Sequence, residues 1–250
     1  MNRINILDDL TINKIAAGEV VESCMNVVKE LVENSIDGEA DVIEIKLIDS
    51  GVKEIEVIDN GIGMSREDAK LAFQRHATSK ISTKDDLDNI ASLGFRGEAL
   101  ASVCAVSRVE LLTATPDSDF GTRYVIEGGE EILLDDAGCP EGTTIIVRDL
   151  FFKTPARMKF LKKDVSEGTT VSAIIERQAL SHPEIAFKLI RDGKQTLSTS
   201  GDGKLMSAVY SVLGRELSST LIEADREVGG IKVSGLICKP VSCKPTRNYQ

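Results

Sequence analysis

The sequence predicts an α/β protein, and three observations carry that prediction: an amphipathic helical stretch near the start, a pair of alternating segments directly after it, and four further strand-like runs ahead of the next long helix. In VVKELVENSID, Val27 to Asp37, a step of about 100° per residue gathers Val27, Val28, Leu31, Val32 and Ile36 on one apolar face. Glu30, Glu33, Asn34 and Asp37 crowd the other, with only Lys29 among them. Carboxylates three and four residues apart repel on a helix surface, so this face is a candidate to hold something positive.

The flanking elements follow in order. A helical opening is expected from Ile12 to Val21. VIEIKLIDSGVKEIEVIDNG alternates on both sides of Asp49-Ser50-Gly51, a β-hairpin pattern. SREDAKLAFQRHA returns to helical spacing, with Ser65 as N-cap. Thr78 to Gly97 is polar and weakly periodic, and EALASVCAV is a helix of small residues. RVELLTAT, TRYVIEGG, EEILLDD and GTTIIVRDL read as strands, and a helix from about Ser166 to Leu180 stops at His182-Pro183, because proline disfavours helical geometry before it. DGKQTLSTSGDGK, Asp192 to Lys204, is rich in Gly, Ser and Thr and is the candidate linker. LMSAVYSVLGREL then suggests one helix and GGIKVSGLICKP one or two strands. So short a remainder is too small for its own core and is expected to be the start of a second domain.

Composition narrows the function classes. The chain has 250 residues, a formal net charge of −10, no membrane-length apolar run and no signal-peptide pattern, so a cytoplasmic location is expected. Five cysteines without a Cys-x-x-Cys pair, and two distant histidines, fit neither a disulfide framework nor a zinc site. The acidic balance argues against a simple basic nucleic-acid module. Even so, Phe151 to Lys163 carries only positive charges, and Lys159, Lys162 and Lys163 are candidate phosphate contacts beside their reading as a solvated face.

The chemistry-bearing motifs exclude a P-loop, since neither Gly193-Lys194 nor Gly203-Lys204 fits its pattern. In VIDNGIGM, Asp59 ends a strand as a carboxylate suited to an exocyclic amine, and Gly61 and Gly63 leave room for a flat ring; Asn60-Gly61 also reads as a hairpin turn. In SLGFRGEALAS, Gly94 and Gly97 flank a turn running into a helix start, where exposed amides suit an anion or simply turn a corner. Thr78, Ser79 and Lys80 suit phosphate oxygens or a surface turn. Glu30 and Asn34 lie one helical turn apart. The Asn carbonyl can ligate Mg²⁺ that also holds phosphates, and the carboxylate can take a proton from water.

Together NKIAAGEVVE, NVVKELVENSID, VIDNGIGM, RHATSKI, SLGFRGEALASV and GTTIIVRDLFFKTPARMKFL resemble the GHKL ATPases and, within them, the MutL family of DNA mismatch-repair proteins, over nearly the whole chain. The resemblance implies a Bergerat nucleotide fold, an α+β two-layer sandwich with a mixed β-sheet. It implies an ATPase domain over 1–200, with a dimerisation arm over 1–20 and an ATP lid and phosphate loop over about 78–97. From 204 to 250 it implies the beginning of a second, ribosomal-protein-like transducer domain. Residue by residue, Glu30 matches the general base, Asn34 the Mg²⁺ ligand and Asp59 the adenine-reading carboxylate, with Gly63 and Met64 lining the base pocket. Thr78, Ser79 and Lys80 match lid residues, and Thr143 a residue behind the adenine. Gly94, Phe95, Arg96, Gly97, Glu98, Ala99 and Leu100 match the phosphate loop and helix start.

The implied activity is Mg²⁺-dependent ATP hydrolysis that drives homodimerisation into a clamp on DNA. Its implied partners are a MutS-type mismatch-recognition protein and a downstream nuclease or helicase, in the bacterial nucleoid and without a membrane. The alternatives are a non-hydrolysing ATP-gated assembly module and another GHKL ATPase. The family's catalytic Lys lies in the second domain, matching a segment beyond Gln250, so slow hydrolysis is expected of this chain alone. Three departures stand out: Ser23-Cys24 for Arg-Pro, Gly38-Glu39 for Ala-Gly, and Lys153 for Asn.

Overall fold

The apolar face expected at Val27–Asp37 is the buried side of α1 (Cys24–Asp37), whose Val27, Val28 and Val32 are fully enclosed. The fold is seen in a computed structural model that describes residues 21–75, 77–78, 97–154, 157–159 and 167–240. The segment 1–20 expected to be a dimerisation arm, and Ser79, Lys80, Gly94, Phe95, Arg96, Lys162 and Lys163, lie outside the described residues. α1 begins at Ser23, whose side chain accepts from the Asn26 amide as an N-cap, and Cys24 packs inward with no exposure. The Ser-Cys departure therefore starts the helix with a hydroxyl cap. Burial pushes the Cys24 thiol up to about 12, with the Glu167 carboxylate adding to the shift.

After α1 come β1 (Val42–Ile48) and β2 (Glu54–Asp59), joined through a short helical turn at Asp49–Gly51. Next are α2 (Arg66–Leu71), capped by Ser65, and α3 (Ala99–Val106). β3 (Arg108–Ala114), β4 (Gly121–Glu127), β5 (Glu130–Ala137) and β6 (Gly142–Arg148) precede α4 (Glu167–Ser181). β7 (Ala186–Arg191) and β8 (Lys194–Ser198) then close an eight-stranded sheet of order β5-β4-β3-β6-β2-β1-β7-β8. Among the described residues only β1 and β7 run parallel; the other neighbours are antiparallel, so the sheet is mixed.

Alternation decides what each sheet face does. Ile43, Ile45 and Leu47 of β1, Ile55 and Val57 of β2, and Phe187 and Leu189 of β7 point to one side and form a single core with α1, α3 and α4. Residues one position away carry a ladder of ion pairs. Lys188 and Lys46 flank Glu44, Arg148 bridges Glu54 and Glu110, and Arg123 completes the row on Glu110. Two layers result, with the helices on one face.

Two expectations are corrected here. Asp192 to Ser198 is no linker: Asp192 (φ 48) and Gly193 (φ 77) form a two-residue hairpin turn, and Arg191 pairs with Lys194 across it. Asp-Gly between alternating segments is a strong hairpin signal, and the Thr and Ser content behind it masked the strand. LMSAVYSVLGREL is also not one continuous helix. In α5 (Leu205–Ser218) Gly214, at φ 78 and ψ 170, breaks the helical track. β9 (Leu221–Val228) and β10 (Ile231–Cys238) follow as a separate two-stranded hairpin.

The end of α1 locates another departure. The Glu39 amide donates to the Ile36 carbonyl and the Ala40 amide to that of Ser35, the two bonds of a Schellman motif. The left-handed position of that motif is Glu39, at φ 61, while Gly38 sits at an ordinary φ of −81. A side chain there costs about 1 kcal/mol relative to glycine. Glu39→Gly is therefore expected to raise unfolding free energy by about 1 kcal/mol in urea titrations; an unchanged or lowered midpoint would contradict the strain.

The ladder makes a second prediction. The Arg148 guanidinium, then that of Arg123, holds the Glu110 carboxyl below its usual range, and the Lys188 ammonium does the same for Glu44. Carboxyls lowered in the folded state contribute stability above the unfolded value of about 4.3, which is lost as pH falls through the folded one. Glu110→Gln should therefore cost stability at pH 7 and show a shallower acid decline in melts between pH 7 and 3.

Candidate functional site

The crowded polar side of α1 divides into two environments. Glu30 and Asn34 are half-buried and share the open side. Glu33, expected beside them, is instead buried at 6% exposure, where Gln178 Nε2 of α4 donates to it at 3.3 Å and Lys29 Nζ at 2.9 Å. Helix-against-helix packing thus removes Glu33 from the open side, while Glu30 and Asn34 stay on it.

Asp59 ends β2 opposite the last turn of α1. Ser35 Oγ donates to its Oδ2 at 2.7 Å, and the Gly61 and Thr143 amides donate to its Oδ1 at 3.0 and 3.1 Å. Burial raises its carboxyl above the ordinary aspartate range, and those three donors partly oppose the shift. Ser35 is the residue that sequence reasoning missed. It follows Asn34 directly and shares the α1 face turned toward β2, a placement visible only once β2 lies beneath it.

The glycines after Asp59 act differently from the expectation. A Cβ on Gly61 would stand 2.3 Å from the Gly38 carbonyl oxygen, and one on Gly63 (φ 65) 2.0 Å from that of Ala114. Their missing side chains admit the protein's own backbone, and no ring is needed to account for them. The Ile62 amide donates to the Gly38 carbonyl at 2.9 Å, fastening this loop to the end of α1. Met64 is fixed by its amide on Thr113 Oγ1 at 2.9 Å, and Thr113 also donates to the Gly142 carbonyl and lies 3.2 Å from Thr143 Oγ1. Asp59, Gly63, Met64 and Thr143 are therefore brought together, with the buried Thr113 tying them to β3 and β6.

At the other end of the site, a Cβ on Gly97 (φ 61) would meet the Ala77 carbonyl at 2.4 Å, so the start of α3 lies against the chain next to Thr78. Glu98 precedes α3 without a side-chain capping bond, and Ala99 and Leu100 open the helix. Its first amides point along the positive end of the helix dipole. Lys159, the one described member of the three candidate DNA-contact lysines, is exposed and stands apart from these residues in the chain.

Against known proteins, residues 21–125 match the model for the histidine kinase-, DNA gyrase B- and HSP90-like ATPases. The structure of the Aquifex aeolicus MutL ATPase domain complexed with ADP is 31% identical, with a TM-score of 0.68, over 88% of this chain and 78% of that one. The chain belongs to the MutL family. The DNA mismatch repair protein MutL of Agathobacter rectalis is 50% identical across the whole chain, and that of Caldanaerobacter subterraneus subsp. tengcongensis 47%. The chain spans 39% and 42% of their lengths. A solved N-terminal domain of a DNA repair protein has a TM-score of 0.74 at 30% identity, over 86% of this chain and 64% of its own. The fold is that of the GHKL ATPases, with the mixed sheet described above.

Asp59 has a measurable signature. A carboxyl raised by burial favours the folded state below the unfolded value of about 3.9 and loses that advantage as pH rises through the folded value. Asn in its place keeps an oxygen for the Gly61 and Thr143 amides and offers an amide to Ser35 Oγ, whose hydrogen can turn to the Leu31 carbonyl at 3.2 Å. Asp59→Asn should therefore melt no lower than the unmutated chain at pH 7, with its advantage shrinking toward pH 4. A large loss of stability at pH 7 would contradict a desolvated carboxylate.

Proposed function

We propose that the chain is the nucleotide-binding part of a DNA mismatch-repair ATPase, in which Asp59 reads adenine, Asn34 takes Mg²⁺ and Glu30 activates water. The observation carrying this reading is the state of Asp59. An ionised carboxylate offers about four acceptor directions; two on Oδ1 and one on Oδ2 meet protein donors, which leaves Oδ2 one more. An exocyclic amine would donate there, with Gly63 and Met64 lining the base pocket and Thr143 behind the adenine. The ADP held by the Aquifex relative supports the same ligand class.

Asn34 suits a cation that arrives with phosphates. It supplies one carbonyl oxygen, and among the described residues no three His, Cys, Asp or Glu side chains gather as a metal cluster. Mg²⁺ keeps several waters and takes few protein ligands; when bound, it would neutralise charge on the phosphates. Glu30, one turn earlier on the same helix, accepts the proton of the attacking water. The amides opening α3, with Thr78, Ser79, Lys80, Gly94, Phe95 and Arg96, hold the phosphates. Catalysis here is chiefly positioning and electrostatics.

By family, ATP binding joins two copies into a clamp that meets DNA through backbone phosphates, Lys159 among the contacts, and works with a MutS-type protein and downstream repair enzymes. Residues 204–250 would begin the second domain of that assembly, and the site of action would be the nucleoid. Titration calorimetry with a non-hydrolysable ATP analogue and Mg²⁺ tests the pocket. Asp59→Asn should abolish saturable binding, and Asn34→Ala should remove its Mg²⁺ dependence. Wild-type affinity in Asp59→Asn would refute the adenine assignment. Glu30→Ala should lower turnover by at least about 10²-fold while keeping analogue binding and any analogue-driven dimer seen by light scattering. Dimerisation lost together with turnover would mean that the clamp and the base cannot be separated.

A further inference from the structure

Glu33 has no role in that mechanism, yet it is one of the most enclosed carboxylates in the chain. Its side chain is 8% exposed, and its two partners come from different elements: Gln178 of α4 on Oε1 and Lys29 of α1 on Oε2. Burying a carboxylate between two helices is costly beside an apolar residue of similar volume, so its presence calls for a function. The ammonium it holds supplies one.

Lys29 Nζ lies 2.9 Å from Glu33 and 3.8 Å from Glu30 Oε1. Lys29 and Glu30 are consecutive, and consecutive residues on a helix do not face each other. The lysine head reaches the Glu30 carboxylate because Glu33, four residues on, draws it across that side of the helix. Gln178 in turn fixes Glu33 against α4. The result is a relay from the rigid helix pair, through an enclosed carboxylate and an anchored ammonium, to the half-exposed carboxylate assigned as the base. Lys29 and Glu30 are each more than a third exposed, so their contact adds little to stability; its effect is on orientation.

We propose that Lys29, anchored by Glu33 and Gln178, is a positioning residue that sets the Glu30 carboxylate for attack of water on the terminal phosphate. This rests on the assignment of Glu30 as general base. In this proposal Lys29 acts through Glu30 and makes no contact with the nucleotide or the attacking water. Its removal therefore lowers the rate of the chemical step and leaves nucleotide affinity in place.

The test is single-turnover hydrolysis of ATP with Mg²⁺, the chain in excess, beside analogue titration of the same variants. Lys29→Met keeps the apolar stem and removes the charge. It should slow hydrolysis by about tenfold with analogue Kd within about twofold, since small misplacements of a reacting group carry costs of this order. Lys29→Arg should restore most of the rate, and Glu33→Gln, which loosens the anchor, should slow hydrolysis without weakening binding. Wild-type hydrolysis in Lys29→Met, failure of Lys29→Arg to restore the rate, or a matching loss of analogue affinity would each overturn the proposal. Glu30→Ala, run in parallel, separates the two levels. Hydrolysis in Glu30→Ala as fast as in the unmutated chain rejects the base and this proposal together. A silent Glu30→Ala beside a fully active Lys29→Met rejects only the role of Lys29.

Discussion

The docking of the end of α1 onto the end of β2 is the constraint on which the remaining geometry rests. Ser35 donates into Asp59, the Gly38 carbonyl receives the Ile62 amide, and Gly61 lies where no side chain fits. Asn60 Oδ1 adds two bonds from the Asp41 and Val42 amides, which fix where β1 begins. Helix, loop and strand thereby become one rigid corner. Glu30 and Asn34 take their places from the helix, and Asp59 takes its place from the strand. The spacing of Glu30 and Asn34 from the corner that carries Asp59 is then set by helical rise, about 1.5 Å per residue.

Much of this was legible in sequence because it rests on periodicity. The five apolar residues of α1, the alternation in β1 and β2, and the Ser65 cap are local signals that the structure retains. The losses share a cause, which is that a partner's identity is not written locally. Glu33 looks like its neighbours until α4 covers it, and Ser35 looks like filler until β2 lies below it. Gly61 and Gly63 announce tight space without saying whether a ligand or backbone fills it. In β8 the local cue was present, since Asp192-Gly193 is a hairpin turn, but the polar composition of an edge strand resembles that of a linker.

The outer sheet face shows a second way of using charge. The ion pairs run from Lys188 across Glu44 and Lys46 to Glu56, and from Glu54 across Arg148 and Glu110 to Arg123, so that Glu44 and Glu110 each lie between two cations. Singly, such pairs contribute little. As a row they keep a broad exposed surface close to neutral on a chain whose net charge is −10, and they mark it off from the helical side, where a polyanionic nucleotide is proposed to bind. Acidic groups are held in check by basic ones on one layer, and amides and a helix dipole are proposed to meet phosphates on the other.

The single parallel pairing in the sheet, β1 with β7, bears on how the chain folds as it is made. Every described residue of the proposed pocket, from Glu30 to Thr143, precedes Arg148, the last residue of β6. Yet the second edge of β1 stays open until Ala186–Arg191 arrives to pair with Val42–Leu47. At the usual 5–20 residues per second, the stretch between Arg148 and Arg191 takes roughly 2–9 s to emerge. Through that interval Ile43, Ile45 and Leu47 sit in a strand with one bare edge, the kind of surface that attracts other chains. The window for misassembly during synthesis is therefore set by the position of β7 in the sequence, well after the residues proposed to bind nucleotide have been made.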